Sequence, residues 1–205
     1  MKFPRKSLAA AGAAALIIAS GTAAFAGPPW TISVGGSSTG SPATYDATSG
    51  PIDFTVPGLS LGCDSGTAEG TITPGATSSK AGEIAETEFI GCLGPLGIDV
   101  DVTQTSTWDI NITGDNAGGV TPGEIGNVAA SVSNPDGLCS FNVVGTVAGS
   151  FDENTQQLTV DNTSGPDTLF VQDVDGCFGL ILEDDPATFA GTYDLANIAN
   201  VTIAN

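Results

Sequence analysis

The chain has 205 residues, of which four are Lys or Arg, 23 are Asp or Glu and none is His, so its formal charge is −19. Three of the four cations lie within the first six residues. Without histidine, and almost without cations, the rest of the chain cannot build a Ser-His-Asp triad, an imidazole zinc site or a basic surface for nucleic acid.

Residues 1–26 have the pattern of a secretory signal peptide. Basic residues within positions 2–6 precede an apolar run at 8–20, and small residues at 24–26 form a cleavage site. The apolar run is shorter than the ~20 residues that a membrane-spanning helix needs. Cleavage would leave one basic residue, Lys80, against 23 acidic ones, a net charge of −22. We therefore predict a secreted bacterial protein without a transmembrane segment, released or loosely attached to the cell surface.

Beyond residue 26, apolar residues alternate with polar ones in short segments, which is typical of half-buried β-strands. The predicted strands lie at 98–103, 108–113, 141–147, 169–171, 178–182 and 201–203. Turn clusters at 114–119, 134–137 and 162–166 separate them. After the signal peptide, no segment keeps the apolar stripe of a long helix. The pattern predicts one all-β domain over 27–205, an antiparallel β-sandwich or jelly-roll-like fold.

Five short motifs occur twice in the same order. The matching pairs are Cys63 and Cys139, Gly66–Ile72 and Gly145–Phe151, Cys92–Gly94 and Cys177–Gly179, Thr107–Ile110 and Thr192–Leu195, and Trp30–Val34 and Trp108–Ile112. This predicts two pseudo-repeated halves, about 30–107 and 108–192, with an extra terminal strand at 193–205. Convergent strand-and-turn composition is the alternative explanation.

The four cysteines of an exported chain predict two disulfides. Three pairings are possible, and we favour Cys63–Cys92 with Cys139–Cys177, because each repeat unit would then close its own bond. Loops of this length would stabilise each unit by roughly 3–4 kcal/mol on the chain-entropy model. The chain has no Cys-x-x-Cys pair, which disfavours a thiolate metal site.

A strand that begins with an aromatic residue occurs three times, at Trp30, Trp108 and Tyr193. One copy is therefore surplus to a fold of two units. The surplus strand either extends a sheet of its own molecule or pairs with a second copy or a cell-surface component through an exposed sheet edge.

An enzyme built from this chain would depend on carboxylates. Glycosidases use two Asp or Glu residues, and the candidate residues are Glu83, Glu86, Glu88, Glu183, Asp184 and Asp185. On so acidic a chain, clustered carboxylates are more simply explained as solvated surface groups. A sugar cleft also needs aromatic platforms, and the chain has two Trp and two Tyr. We predict no catalytic residues and no enzymatic activity.

Calcium is the one cofactor that this composition suggests, because its ligands are oxygen atoms. Turns that offer such oxygens occur at Asp173–Asp175, Asp152–Asn154 and Asp115–Asn116. None of them matches the twelve-residue EF-hand loop. The prediction is therefore no cofactor, with calcium as the alternative.

Part of the first half resembles a known family. The segments 58–63, 70–72, 89–95 and 107–110 carry a Cys before a Gly-rich strand, a second Cys after an aromatic-x-Gly, and a Trp strand. In these motifs the chain is similar to the secreted bacterial alkane-oxidation protein activators. The resemblance implies an exported non-enzymatic β protein linked to growth on hydrocarbons or to the cell surface. The duplication departs from the single-unit pattern of that family.

Together these features predict a secreted, acidic, non-enzymatic β protein that acts at or near the cell surface by binding or self-assembly. The alternative is an extracellular carrier of an apolar small molecule such as a hydrocarbon or lipid. Its pocket would be lined by phenylalanines from the set Phe141, Phe151, Phe170, Phe178 and Phe189. The second alternative is a carboxylate-based glycoside hydrolase.

Overall fold

The computed structural model describes residues 29–166 and 168–205, so the predicted signal peptide lies outside the described residues. This part of the chain forms β-strands and two three-residue 3-10 turns, and the all-β prediction is confirmed. The strands are β1 (Trp30–Val34), β2 (Ala43–Ser49), β3 (Ile52–Val56), β4 (Leu59–Cys63), β5 (Ser65–Ile72), β6 (Gly75–Thr77), β7 (Lys80–Ile90), β8 (Asp101–Gln104), β9 (Trp108–Ile112), β10 (Val120–Ser133), β11 (Cys139–Asp152), β12 (Gln157–Asp161), β13 (Leu169–Gly176), β14 (Pro186–Ala196) and β15 (Val201–Ala204). Within these residues we find no helix with the length and apolar character of a membrane span.

Antiparallel pairing closes the strands into a barrel. Around its wall the order is β2, β5, β7, β9, β10, β11, β12 and β14, and β14 pairs again with β2. Toward one end, β3, β8 and β13 take the places of β2, β9 and β12. The predicted antiparallel class is therefore confirmed, and the structure adds that the sheet closes on itself. Alternation cannot distinguish a barrel from a sandwich, because both bury every second residue.

The pairing pattern occurs twice along the chain. In residues 43–112, β2 pairs with β5 and β3 pairs with β4. Next in order, β5 pairs with β7, and β7 pairs with both β8 and β9. In residues 120–196, β10, β11, β12 with β13, and β14 repeat this order. The last strand of each half pairs with the first strand of the other, which closes the barrel. The predicted duplication, with halves at about 30–107 and 108–192, concerns ancestry and stays a prediction.

The repeated glycine motifs have a structural cause. A side chain at Gly70 in β5 would overlap the carbonyl oxygen of Glu83 on β7. At the matching position of the second half, a Cβ on Gly149 would lie 2.6 Å from the carbonyl oxygen of Thr159 on β12. Both glycines therefore permit a close approach of neighbouring strands, which only a residue without a Cβ allows.

A separate three-stranded sheet, β15-β1-β6, covers one end of the barrel. The Trp30 strand, β1, is flanked on both sides by strands of its own chain. On β15, the backbone N–H groups of Val201 and Ile203 donate to the side chains of Gln156 and Glu153. These side chains cover the outer edge of β15. Pairing of this edge with another molecule, which stays a prediction, would have to displace them.

Both predicted disulfides are present and join Cys63 to Cys92 and Cys139 to Cys177. They lie at the barrel end opposite the three-stranded sheet, at corresponding places in the two halves. A 3-10 turn accompanies each bond, at Pro95–Gly97 and at Cys177–Gly179. The bonds therefore fix the two loops that connect β7 to β8 and β13 to β14.

Candidate functional site

An apolar cavity of about 130 Å³ lies inside the barrel. Inward-facing side chains from both halves line it, among them Ile84, Ile125 and Val147, which are 3–6 % exposed. Ile32 on β1 and Ile203 on β15 line it as well, so the three-stranded sheet closes one end of the cavity. The strand alternation that predicted the fold thus also produces the apolar interior.

The phenylalanines of the carrier hypothesis divide into three groups. Phe151 and Phe189 line the cavity, and the edge of one ring in the pair Phe89–Phe189 meets the face of the other at 6.2 Å. Phe141 is buried but stacks on Phe54 at a ring distance of 6.5 Å. The other two, Phe170 and Phe178, lie elsewhere: Phe170 is half-buried, and Phe178 is 80 % exposed. Sequence reasoning missed Phe54 and Phe89 as lining residues, although each lies in a strand.

A few polar side chains reach the cavity wall. The Tyr45 hydroxyl donates to the carbonyl oxygen of Glu83 at 3.3 Å, and burial raises the pKa of this phenol. Burial also raises the pKa of Tyr193 to about 12, an effect that a hydrogen bond with Ser49 partly offsets. Both tyrosines are therefore neutral at physiological pH, and neither contributes a charge to the cavity.

Two further lining residues, Thr87 and Thr121, carry hydroxyl oxygens that are buried and have no hydrogen-bond partner. Thr121 is 2 % exposed, and on β10 it faces the interior opposite Phe151. Unpaired buried hydroxyls are uncommon in folded proteins, because each one loses its hydrogen bonds to water. These two atoms are the unpaired polar groups of the cavity wall.

The barrel wall is interrupted between β8 and β9. Opposite this break, β7 pairs with β8 through Glu88 and with β9 only as far as Ile84. The Gln104 side chain fills the gap by donating to the carbonyl oxygens of Ile84 and Ser106, at 3.1 and 2.6 Å. A polar surface groove lies here, and Thr87 lines both this groove and the interior cavity.

The second half has a break at a different place, between β12 and β13, and fills it differently. Asn162 lies between β12 and β13, and its side chain donates to the carbonyl oxygen of Ala187 and accepts from the backbone N–H of Phe189. Asn162 is 7 % exposed, and both ends of its amide are paired. In contrast, the Gln104 oxygen has no partner. The first-half break is therefore the less tightly bonded of the two.

Large apolar side chains are exposed at the disulfide end of the barrel. We call this group the rim; it consists of Leu93, Leu96, Ile98, Leu138, Phe178, Leu180 and Leu182, of which Leu96 is fully exposed. Hydrogen bonds connect its loops: the Asn134 side chain donates to the carbonyl oxygen of Asp99 at 3.3 Å, and the Cys177 N–H donates to the Leu138 carbonyl at 3.0 Å. Clustered exposed apolar residues of this kind mark interaction surfaces.

The carboxylates considered for glycoside hydrolysis make local contacts. Glu83 forms an ion pair with Lys80. Hydrogen bonds from the Lys80 ammonium group to Asp109 and, with a smaller effect, to Glu83 raise the pKa of Lys80. Glu183 accepts from the backbone N–H groups of Asp173 and Val174, and Asp185 accepts from that of Leu182. The remaining candidates, Glu86, Glu88 and Asp184, are exposed. These contacts stabilise loops and strands, and whether any of the carboxylates acts in catalysis stays untested.

The turns proposed for calcium have other partners. Asp152 accepts from the Asn154 backbone, and this hydrogen bond lowers its pKa; Asp115 accepts from the indole N–H of Trp30. Across 29–166 and 168–205 we find no group of three or more acidic or cysteine side chains arranged to hold a metal. The prediction of no cofactor, with calcium as the alternative, stays untested.

Comparison of the chain with protein-family models, with curated proteins and with solved structures finds no match. The cavity and the rim are therefore the features from which a function can be inferred.

Proposed function

We propose that this protein is an exported, non-enzymatic carrier that holds a small apolar molecule inside its barrel. The apolar cavity of about 130 Å³ inside the barrel is the observation that carries the proposal. Its walls are almost entirely aliphatic and aromatic, so a hydrophobic molecule would gain by leaving water for this interior.

The size of the cavity defines the size of the ligand. An engineered cavity of roughly 150 Å³ in another protein binds benzene. A molecule of about six heavy atoms therefore fits here, whereas a long lipid chain does not. Among the hydrocarbons and lipids considered as ligands, the cavity therefore favours small molecules.

Two features of the chain support export, namely its disulfides and its acidic composition. Two disulfides are typical of proteins that mature in an oxidising compartment. With 23 acidic and four basic residues, the chain is repelled by anionic surfaces and stays dispersed. A carrier outside the membrane, close to a supply of hydrocarbon, is consistent with the resemblance drawn from the sequence.

Benzene and cyclohexane are expected to raise the free energy of unfolding, by about 2.7 kcal/mol at a concentration one hundred times the Kd. Filling the cavity with Ala68→Leu or Ala130→Leu should remove this stabilisation, because both alanines line it. Ala148→Leu is the matched control, since Ala148 is exposed on the same barrel wall. The measurement is denaturant unfolding with and without ligand. A parent protein that neither compound stabilises would refute the proposal.

The rim supports a second candidate function, self-association through its apolar surface. We expect Leu96→Asn with Phe178→Asn to weaken self-association at least tenfold in sedimentation velocity over a concentration series. Asparagine tolerates the left-handed backbone at these positions, where φ is 62° and 54°. Val120→Asn is the control, because Val120 is 38 % exposed away from the rim. Unchanged sedimentation of the double variant would exclude the rim as the contact.

A further inference from the structure

We propose that the ligand of the cavity is neutral, carries a hydroxyl or carbonyl group, and binds that group to Thr121. This rests on the proposed function and narrows its ligand from any small apolar molecule to a small alcohol, aldehyde or ketone. Alkanes and arenes without a polar group would then be weaker surrogates.

The position of Thr121 is the first observation. Its side chain lines the cavity, it is 2 % exposed, and its hydroxyl oxygen has no partner. In the described part of the chain three buried side-chain polar atoms are unpaired, on Thr87, Gln104 and Thr121. Two of these three residues line the same cavity. The unpaired atoms are thus concentrated where a ligand would lie.

A threonine at this site is unfavourable unless its hydroxyl is used. Valine has nearly the same shape, favours strands equally, and would bury no polar atom. A buried hydroxyl can donate one hydrogen bond and accept two, and leaving it unpaired destabilises the protein. A ligand oxygen within the cavity would supply the missing partner. An ordered water molecule is the competing occupant, and the binding of cyclohexanol to a Thr121→Val variant distinguishes the two.

The ligand is neutral because an ion of either sign would lose its hydration in this almost entirely apolar interior, and for an anion the cavity also offers no cation. Lys80 is the one cationic side chain in the described part of the chain, and its ammonium group pairs with Glu83 and Asp109 at 2.6 and 2.7 Å. Lys80 does not line the cavity. A carboxylate or phosphate in this interior would lose its hydration without an opposite charge. Fatty acids are therefore outside the ligand class, and alcohols and carbonyl compounds are within it.

Cyclohexane and cyclohexanol form a matched pair of probes for this site. We expect Thr121→Val to lower the affinity for cyclohexanol at least tenfold and to leave the affinity for cyclohexane unchanged or higher. The near-isosteric variant keeps the cavity volume, and its binding of cyclohexane shows that the barrel is folded. Thr48→Val is the control, because Thr48 is exposed on β2 of the same barrel wall and does not line the cavity. It should leave both affinities within about twofold. Titration calorimetry measures all of them.

Three outcomes overturn the inference, and they are distinguishable. In the first, the parent binds cyclohexane, and Thr121→Val changes the affinities for cyclohexane and cyclohexanol equally. In that case the Thr121 hydroxyl binds water or has no partner, and the proposed carrier function stands. If Thr87→Val alone lowers the affinity for cyclohexanol, the polar contact lies at the wall break and Thr121 is not involved. If the parent binds neither compound, the carrier function fails, and the ligand class fails with it.

Discussion

Removing the Cys139–Cys177 disulfide is expected to lower the free energy of unfolding by about 3–4 kcal/mol. The bond closes a loop with a sequence separation of 38 residues, so its loss enlarges the conformational freedom of the unfolded chain. In the folded barrel it connects β11 to the 3-10 turn that holds Phe178. The change is a paired Cys139→Ala and Cys177→Ala substitution, measured by denaturant unfolding under oxidising conditions.

Two comparisons separate the crosslink from the side chains. Paired substitution of Cys63 and Cys92 should lower the free energy of unfolding by nearly as much, because that bond closes a loop with a sequence separation of 29 residues and lies at the corresponding place in the first half. Reducing the parent protein should reproduce both losses while keeping the sulfur atoms. A loss below about 1 kcal/mol for each pair would show that these loops are already ordered in the unfolded chain.

Gly70→Ala is expected to destabilise the protein by about 3 kcal/mol, at the upper end of what overpacking costs. The new methyl group would overlap the carbonyl oxygen of Glu83 on the next strand and would lie 2.9 Å from the Tyr45 hydroxyl. Strands β5 and β7 would have to separate, which also weakens the hydrogen bond from Tyr45 to Glu83. Equilibrium unfolding in urea, compared with the parent at the same pH, measures the difference.

Gly62→Ala is the control for the loss of a glycine. A methyl group at Gly62 meets nothing within 4 Å, so this variant should stay within about 0.5–1 kcal/mol of the parent. Gly149→Ala, at the matching place in the second half, should behave like Gly70→Ala. Equal stability of the Gly62 and Gly70 variants would contradict the close strand approach that explains the repeated motif.

Much of the fold could be predicted from the sequence because its determinants are local. Alternation of apolar and polar residues predicted strands around 108–113 and 141–147, and the structure has β9 and β11 there. The disulfide pairing followed from the requirement that each repeat unit close its own bond. Both inferences use short segments and spacing, which a single sequence contains.

Closure of the barrel could not be predicted, because it depends on contacts between distant residues. Pairing of β14 with β2 brings Tyr193 opposite Ser49, and neither strand carries a signal for its partner. The alternation that predicts a strand is the same in a sandwich and in a barrel. The glycine motif could be found by self-comparison, but its cause, a neighbouring carbonyl group, is visible only in three dimensions.

An internal apolar pocket was the alternative prediction from the sequence, after binding or self-assembly at the cell surface. The many aliphatic residues predicted an apolar core, but they carried no signal for a cavity within it. The sequence pointed correctly to Phe151 and Phe189 but also to Phe178, which is exposed because its loop turns outward at the disulfide. Thr121 carries no motif, since one inward-facing threonine in a strand is ordinary until its missing hydrogen bond is seen.

Diffraction from crystals held under xenon pressure tests the central claim most directly. Xenon occupies apolar cavities and needs no polar contact, so its binding depends only on an accessible, hydrophobic interior. We predict xenon density inside the barrel, among Ile84, Ile125 and Val147, and its absence in Ala68→Leu crystals treated identically. A barrel interior without xenon at pressures that load surface sites would contradict the account.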